Sequence, residues 1–205
     1  VLENGTKWDV SYTLGYNDYH FYVENSLNRS LGTDSPRSFD SGGTRSFEHI
    51  LTADISHKFD TWSLSGGVEV REENYRIYKG DEASYTLGSF SSASGAQGFP
   101  GFRPENEVDV SRHNIATYAE TTYSLTEWLM ADMAVRAERY TDFGSTLDGK
   151  VALRAKPHED WLLRSSASTG FRAPSLAQSH FTYTQMVLDG ANIVTFGNYS
   201  VDDPI

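Results

Sequence analysis

Apolar and polar residues alternate with period two along most of this chain, as expected of strands with one apolar face. From Trp8 to Tyr16 the even positions are Trp8, Val10, Tyr12, Leu14 and Tyr16, and the odd ones Asp9, Ser11, Thr13 and Gly15. After Asn17-Asp18 the apolar parity changes to Tyr19, Phe21, Val23 and Leu27. That change predicts a bulge in one long strand, or else a tight hairpin at Tyr16–Asp18. Phe47 to His57 places Phe47, Leu51, Ala53 and Ile55 on one face. Trp62, Leu64, Gly66, Val68 and Val70 then alternate with Ser63, Ser65, Gly67, Glu69 and Arg71, and strand character runs on to about Tyr78. Val110 to Ser124 follows, with Ile115, Thr117, Ala119 and Tyr123 on one parity. Leu129 to Glu138, Leu147 to Lys156 and Trp161 to Ala167 complete the series.

These segments predict about seven antiparallel strands joined to their neighbours, most of them longer than the five or six residues usual in globular sheets. Strands that cross a bilayer at a tilt need about 9–11 residues. The connections divide into two kinds. Those at 58–61, 125–127 and 157–160 are short; those at 28–45, 79–109 and after 170 are long, with 142–145 the short exception. Short turns on one side and long loops on the other are the asymmetry of outer-membrane barrels.

The tryptophans share one phase of this pattern. Trp62, Trp128 and Trp161 each begin a strand just after a short turn, and Trp8 follows the turn-like Glu3-Asn4-Gly5-Thr6. All four are expected at one height, as an aromatic girdle at the membrane interface. In a soluble sandwich the same residues would instead be buried at strand starts.

Composition fits this picture. The hydrophobic share of 38% is below the roughly 45–50% usual for globular chains, yet there are 12 Tyr, 11 Phe and 4 Trp in 205 residues. No window approaches the roughly 18 apolar residues of a spanning helix. Barrel strands escape that test, because lipid-facing and lumen-facing residues average out as polar. A net charge of −11 disfavours nucleic acid as a partner. Zero Cys removes disulfides, thiolate metal sites and cysteine nucleophiles. The chain opens at Val1-Leu2-Glu3 without an initiator Met and stops at Asp203-Pro204-Ile205, which predicts a piece of a longer protein.

The corner Ser168-Thr169-Gly170-Phe171-Arg172-Ala173-Pro174-Ser175-Leu176 follows directly on the last strand. Gly170, Phe171, Arg172, Ala173 and Pro174 resemble a signature of TonB-dependent outer-membrane receptors. Further segments resemble one proteobacterial branch of that family, in the same order along the chain. They are Val23-Glu24-Asn25-Ser26-Leu27-Asn28, Ser35-Pro36-Arg37-Ser38-Phe39-Asp40-Ser41-Gly42-Gly43, Gly98-Phe99-Pro100-Gly101-Phe102-Arg103-Pro104, Ser111-Arg112-His113-Asn114 and Tyr140-Thr141-Asp142-Phe143-Gly144-Ser145-Thr146. The resemblance covers nearly all of 1–205. It implies an all-β, up-and-down transmembrane β-barrel of 22 strands, of which this chain would supply about seven from the middle. It also implies a plug domain absent here, through which the TonB–ExbB–ExbD system would act, and a Gram-negative outer-membrane lipid surround. The cargo implied is a scarce small molecule, by default a ferric siderophore or other iron chelate. A wall segment with two open sheet edges is expected not to be stable alone in water.

Candidate chemistry is sparse. The six His, at 20, 49, 57, 113, 158 and 180, show no metal-like pairing, and no nucleophile elbow or phosphate-binding glycine pattern occurs. Glu72 and Glu73 point to opposite faces of a strand, which disfavours joint carboxylate chemistry. No enzyme, metal or cofactor is expected. Binding is better served by the loop carrying Phe90, Phe99, Phe102 and Arg103, where aromatics and a cation beside permissive glycines suit an anionic or aromatic ligand; the competing reading has Phe99 and Phe102 fold the loop on itself. Arg172 is expected to fix the strand end, and Lys150 and Arg154 to join Asp148 in a salt-bridge ladder. Two other classes fit the alternation: a passive porin or autotransporter barrel, and a soluble carbohydrate-binding β-sandwich.

Overall fold

The computed structural model describes residues 5–90, 92–190 and 192–201. Glu3 and Asn4 of the turn expected before Trp8, and the terminal stretches Val1-Leu2-Glu3 and Asp203-Pro204-Ile205, lie outside them. Seven strands form one sheet in chain order: β1 (Lys7–Glu24), β2 (Ser38–Lys58), β3 (Trp62–Tyr78), β4 (Val108–Ser124), β5 (Leu129–Tyr140), β6 (Gly144–His158) and β7 (Trp161–Ser168). The sheet is antiparallel and up-and-down. A separate hairpin follows, β8 (Tyr183–Asp189) with β9 (Asn192–Asn198). Two short helices, α1 (Glu82–Tyr85) and α2 (Leu176–His180), lie in the connections. No helix among the described residues is long and apolar enough to cross a membrane.

Two compact units emerge. The first comprises the described parts of Val1–Leu14, Glu48–Glu72 and Arg112–Ala173. Its pairings fix which side chains share a face. In β4 and β5 the partners Thr117 and Ala137, Ala119 and Val135, and Thr121 and Met133 lie on one side. Across β5 and β6 that side continues through Met133 with Val151 and Ala137 with Leu147. The other side carries Tyr118 with Arg136 and Glu120 with Ala134, then Arg136 with Asp148 and Ala134 with Lys150. One face is thus apolar and the other polar. The apolar face is not covered by protein: Leu147 is 73% exposed, and Ile115, Met133 and Val151 are likewise open.

Short turns close this unit on the side where the tryptophans begin their strands. Phe59 N–H donates to the Trp62 carbonyl at 2.8 Å, and the Phe59 and Trp62 rings stack at 4.0 Å. In the next turn the Thr126 hydroxyl accepts from Leu129 N–H at 3.0 Å, a local side-chain bond of the kind that lets Thr nucleate turns.

The second unit comprises Gly15–Phe47, Glu73–Ser111 and the described part of Pro174–Ile205. Its core is Tyr75, Ile77, Phe102 and Leu176, with Phe21, Phe99, Phe181 and Tyr183 packed around it. Of the two readings of the parity change after Asn17-Asp18, the single strand holds: β1 is not a hairpin, and none of its residues takes a positive φ. Its apolar parity changes because Phe21 turns to meet Phe99, ring centroids 4.6 Å apart. The left-handed glycine is instead in β2, at Gly42 with φ 80°. The loop expected over 28–45 is also shorter, since β2 already begins at Ser38. Its small residues are strand residues with close neighbours: the Phe102 N–H donates to the Ser41 carbonyl at 3.0 Å, and the Ser41 hydroxyl donates to the Phe99 carbonyl at 3.1 Å.

The hairpin β8–β9 joins Met186-Val187 to Ile193-Val194 through a turn that Gly190 opens after the pair Asp189–Asn192. Gly190 has the positive φ, 61°, that a turn with glycine at its first central position requires.

Candidate functional site

Within the second unit the loop between β3 and β4 packs against the hairpin after α2. Asn106 ties them. It is fully buried, its side-chain amide donates to the Thr184 hydroxyl at 3.1 Å, and its carbonyl accepts from Arg103 N–H at 3.0 Å. Phe99 stacks on Tyr183, whose hydroxyl donates to the Pro100 carbonyl at 3.1 Å. Burial pushes the Tyr183 phenol up to about 12, because the charged phenolate would lose its solvation there.

The four loop residues singled out from the sequence therefore separate. Phe102 is 1% exposed and belongs to the core, and Phe99 is packed between Phe21 and Tyr183. Neither is the exposed aromatic that the sequence suggested. Arg103 pairs with Glu105 and is largely covered. Phe90, at 56%, is the exposed member of the four, lying over Gly32, where a Cβ would collide with its ring.

In the first unit the polar face carries a chain of ion pairs. Glu48 meets Arg71 at 3.2 Å, Arg71 meets Glu69 at 3.2 Å, and Glu69 meets Arg136 at 3.3 Å. Arg136 continues to Glu138, which accepts from the Tyr140 hydroxyl at 2.6 Å. The expected ladder through Asp148, Lys150 and Arg154 is not the one observed: Asp148 stands opposite Arg136 and Lys150 opposite Ala134, while Arg154 reaches the Met130 sulfur at 3.4 Å. The observed chain runs across β2, β3 and β5, a pairing that single-strand patterns do not display. A cleft of about 490 Å³ on this face is lined by both signs of charge, including Glu69, Arg136, Asp148 and Lys150.

The Gly-Phe-Arg-Ala-Pro corner begins in the same unit. Thr169 N–H donates to the Gly149 carbonyl at 2.9 Å, and Gly149 N–H donates to the Thr169 hydroxyl at 3.0 Å. Phe171 N–H reaches Asp148 Oδ2 at 3.3 Å, and its ring meets those of Tyr140 and Phe143 at 6.0 and 6.1 Å. Gly170 has no neighbour within 4 Å of a would-be Cβ, and Arg172 is exposed. Pro174 falls in the second unit, where Ser175 caps α2 by accepting from Gln178 N–H at 3.2 Å.

Trp62 and Trp161 open β3 and β7, Trp8 is the second residue of β1, and Trp128 directly precedes β5. Trp8 and Trp161 are each 63% exposed and Trp128 is also open, which contradicts the buried tryptophans of a soluble sandwich. Among the described residues no three His, Asp or Glu side chains gather as a metal site.

A family model described as TonB dependent receptor-like, β-barrel, matches residues 2–203. No curated protein and no solved structure gives a significant match. With its up-and-down sheet, uncovered apolar face and polar opposite face, the chain belongs to the TonB-dependent receptor β-barrel family.

Proposed function

We propose that residues 1–205 are part of the barrel wall of an outer-membrane receptor that captures a scarce nutrient and moves it inward by TonB-driven work. Members of the family are transporters, and membership indicates TonB-linked transport at the outer membrane. The observation that carries the reading is the apolar face of β4–β6, open where a soluble protein would cover it. Lipid is the partner that matches it. Trp8, Trp62, Trp128 and Trp161 form the girdle at the periplasmic boundary, and the long connections face outward. The polar face lines the lumen, where the plug of the longer protein would sit and pass on the pull of the TonB–ExbB–ExbD system.

The cargo we propose is a ferric siderophore or other iron chelate, caught at the outer loops with Phe90 as an aromatic contact. Support comes from the exposure of Phe90 in the loop whose Phe99 and Phe102 are packed into the core. The test is uptake of iron-labelled chelates by cells carrying the full-length receptor, with and without TonB. Accumulation that needs both supports the reading; accumulation indifferent to TonB would reject it in favour of a passive channel.

A further inference from the structure

A second cleft in the loop unit, of about 360 Å³, has lining residues that include Arg29, Ser94, Gln97, Pro100, Met186 and Val187. Among the described residues its lining contains one charged side chain, Arg29, and no acid. That is notable in a chain of net charge −11, and it contrasts with the mixed-charge cleft of the first unit.

The arginine is held in place by neutral groups. Assigning the Gln97 amide with its oxygen toward the guanidinium, the orientation that satisfies both groups, lets it accept from Nε at 2.6 Å and Nη2 at 3.2 Å. An amide fixes the cation without cancelling its charge. Both residues stand on a braced backbone. Gln97 N–H donates to the Leu27 carbonyl at 3.1 Å, and its carbonyl accepts from the Ser26 hydroxyl at 2.7 Å. Next to Arg29, the buried Asn28 amide donates to the carbonyls of Ala83 and Thr86 at 2.9 and 2.8 Å. The side chain of Arg29 is thus oriented before any ligand arrives, which lowers the ordering cost of binding.

A guanidinium offers five N–H donors in a planar fork. Gln97 takes the Nε edge, leaving the edge formed by Nη1 and the second Nη2 proton. That edge matches the two oxygens of a carboxylate in a bidentate pair. Met186, Val187 and Pro100 line the same cleft. One cation together with apolar side chains suits a monoanion with an apolar body better than a dianionic phosphate.

We propose that this cleft is a subsite for a carboxylate group borne on a small apolar or chelating ligand, with Arg29 as the binding cation and Gln97 as its positioning residue. The inference rests on the capture role proposed above and narrows its cargo to carboxylate-bearing molecules.

The test uses the full-length receptor in detergent, with hexanoate, hexanamide and inorganic phosphate as probes and saturation-transfer NMR as readout. Hexanoate binds the parent receptor, and hexanamide and phosphate bind about tenfold or more weakly, as expected for loss of a charged hydrogen-bonded pair. Arg29→Gln loses hexanoate to a similar degree. Arg29→Lys, which keeps the charge but not the fork, falls between, and so separates loss of the pair from loss of the fold. Equal binding of hexanoate and hexanamide, equal binding to the Arg29→Gln receptor, or preference for phosphate overturns the proposal. TonB-dependent uptake by the same parent receptor is scored separately. Intact uptake without hexanoate binding sinks this inference alone, whereas hexanoate binding without uptake sinks the transport reading.

Discussion

Phe99 lies parallel to Tyr183, the ring planes 11° apart and the centroids separated by 5.4 Å. This stack joins the longest loop to the hairpin β8–β9 across a wide gap in sequence. The hairpin is thereby seated on packed aromatics, and the phenol of Tyr183 is withdrawn from water.

That burial makes a pH prediction. A phenol whose folded pKa is raised stabilises the folded state fully below its ordinary value of 10.0, and loses that contribution as pH rises toward about 12. The hairpin should therefore loosen in this alkaline window. Tyr183→Phe removes the ionising group, so its receptor should lack one late phenolate step in ultraviolet titration and keep the hairpin docked. Identical titrations for parent and variant would refute the burial.

Phe102 and Phe90 should behave oppositely. Truncating a buried Phe to Ala costs about 3–5 kcal/mol, so Phe102→Ala should open the loop core and speed amide exchange at Tyr75 and Ile77, its neighbours in the cluster. Phe90→Ala should leave that exchange unchanged while weakening chelate uptake. Rapid exchange in the Phe90 variant, or none in the Phe102 variant, would contradict the assignment.

Much of the first unit was legible because its two surroundings differ. Met133 and Val135 alternate with Asp132, Ala134 and Arg136, so strand, face and phase follow from side-chain polarity alone. The second unit hid its strands because both faces meet protein or water. Ser38 to Arg45 reads as a loop, since Ser, Gly and Asp favour turns. Its small residues are instead what close backbone approach demands: a Cβ on Gly42 or Gly43 would clash with the Tyr78 or Tyr19 carbonyl. Phe21 broke the parity for a similar reason, because its partner Phe99 lies far along the chain. Phe102 looked like a ligand contact since a Gly-rich neighbourhood suggests exposure, whereas here it supplies the core of the loop. Arg29 and Gln97 carried no motif; the bridge between Asn28 and Ala96 and the bonds of Gln97 to Leu27 and Ser26 bring their segments together.

Charge placed on the apolar face should obstruct assembly. An Arg at the bilayer midplane on the lipid side of a barrel costs about 2–4 kcal/mol. Met133→Arg should therefore reduce the heat-modifiable, folded band of the receptor in outer membranes. Ala134→Arg, one residue along and facing Lys150 and Glu120 across the strands, should assemble near the parental level. Equal tolerance at both positions would argue against a lipid-facing surface.

The most direct measurement is a single-cysteine scan along β5, made convenient by the absence of Cys in this chain. Nitroxide labels at residues 132 to 137 of the full-length receptor in bilayers would be probed with oxygen, which partitions into lipid, and a nickel chelate, which stays in water. Labels at 133, 135 and 137 should favour oxygen and those at 132, 134 and 136 the chelate or burial against the plug, with a period of two. Uniform access to the chelate, or labels at 133 and 135 shielded from both quenchers, would contradict the membrane wall on which the transport account depends.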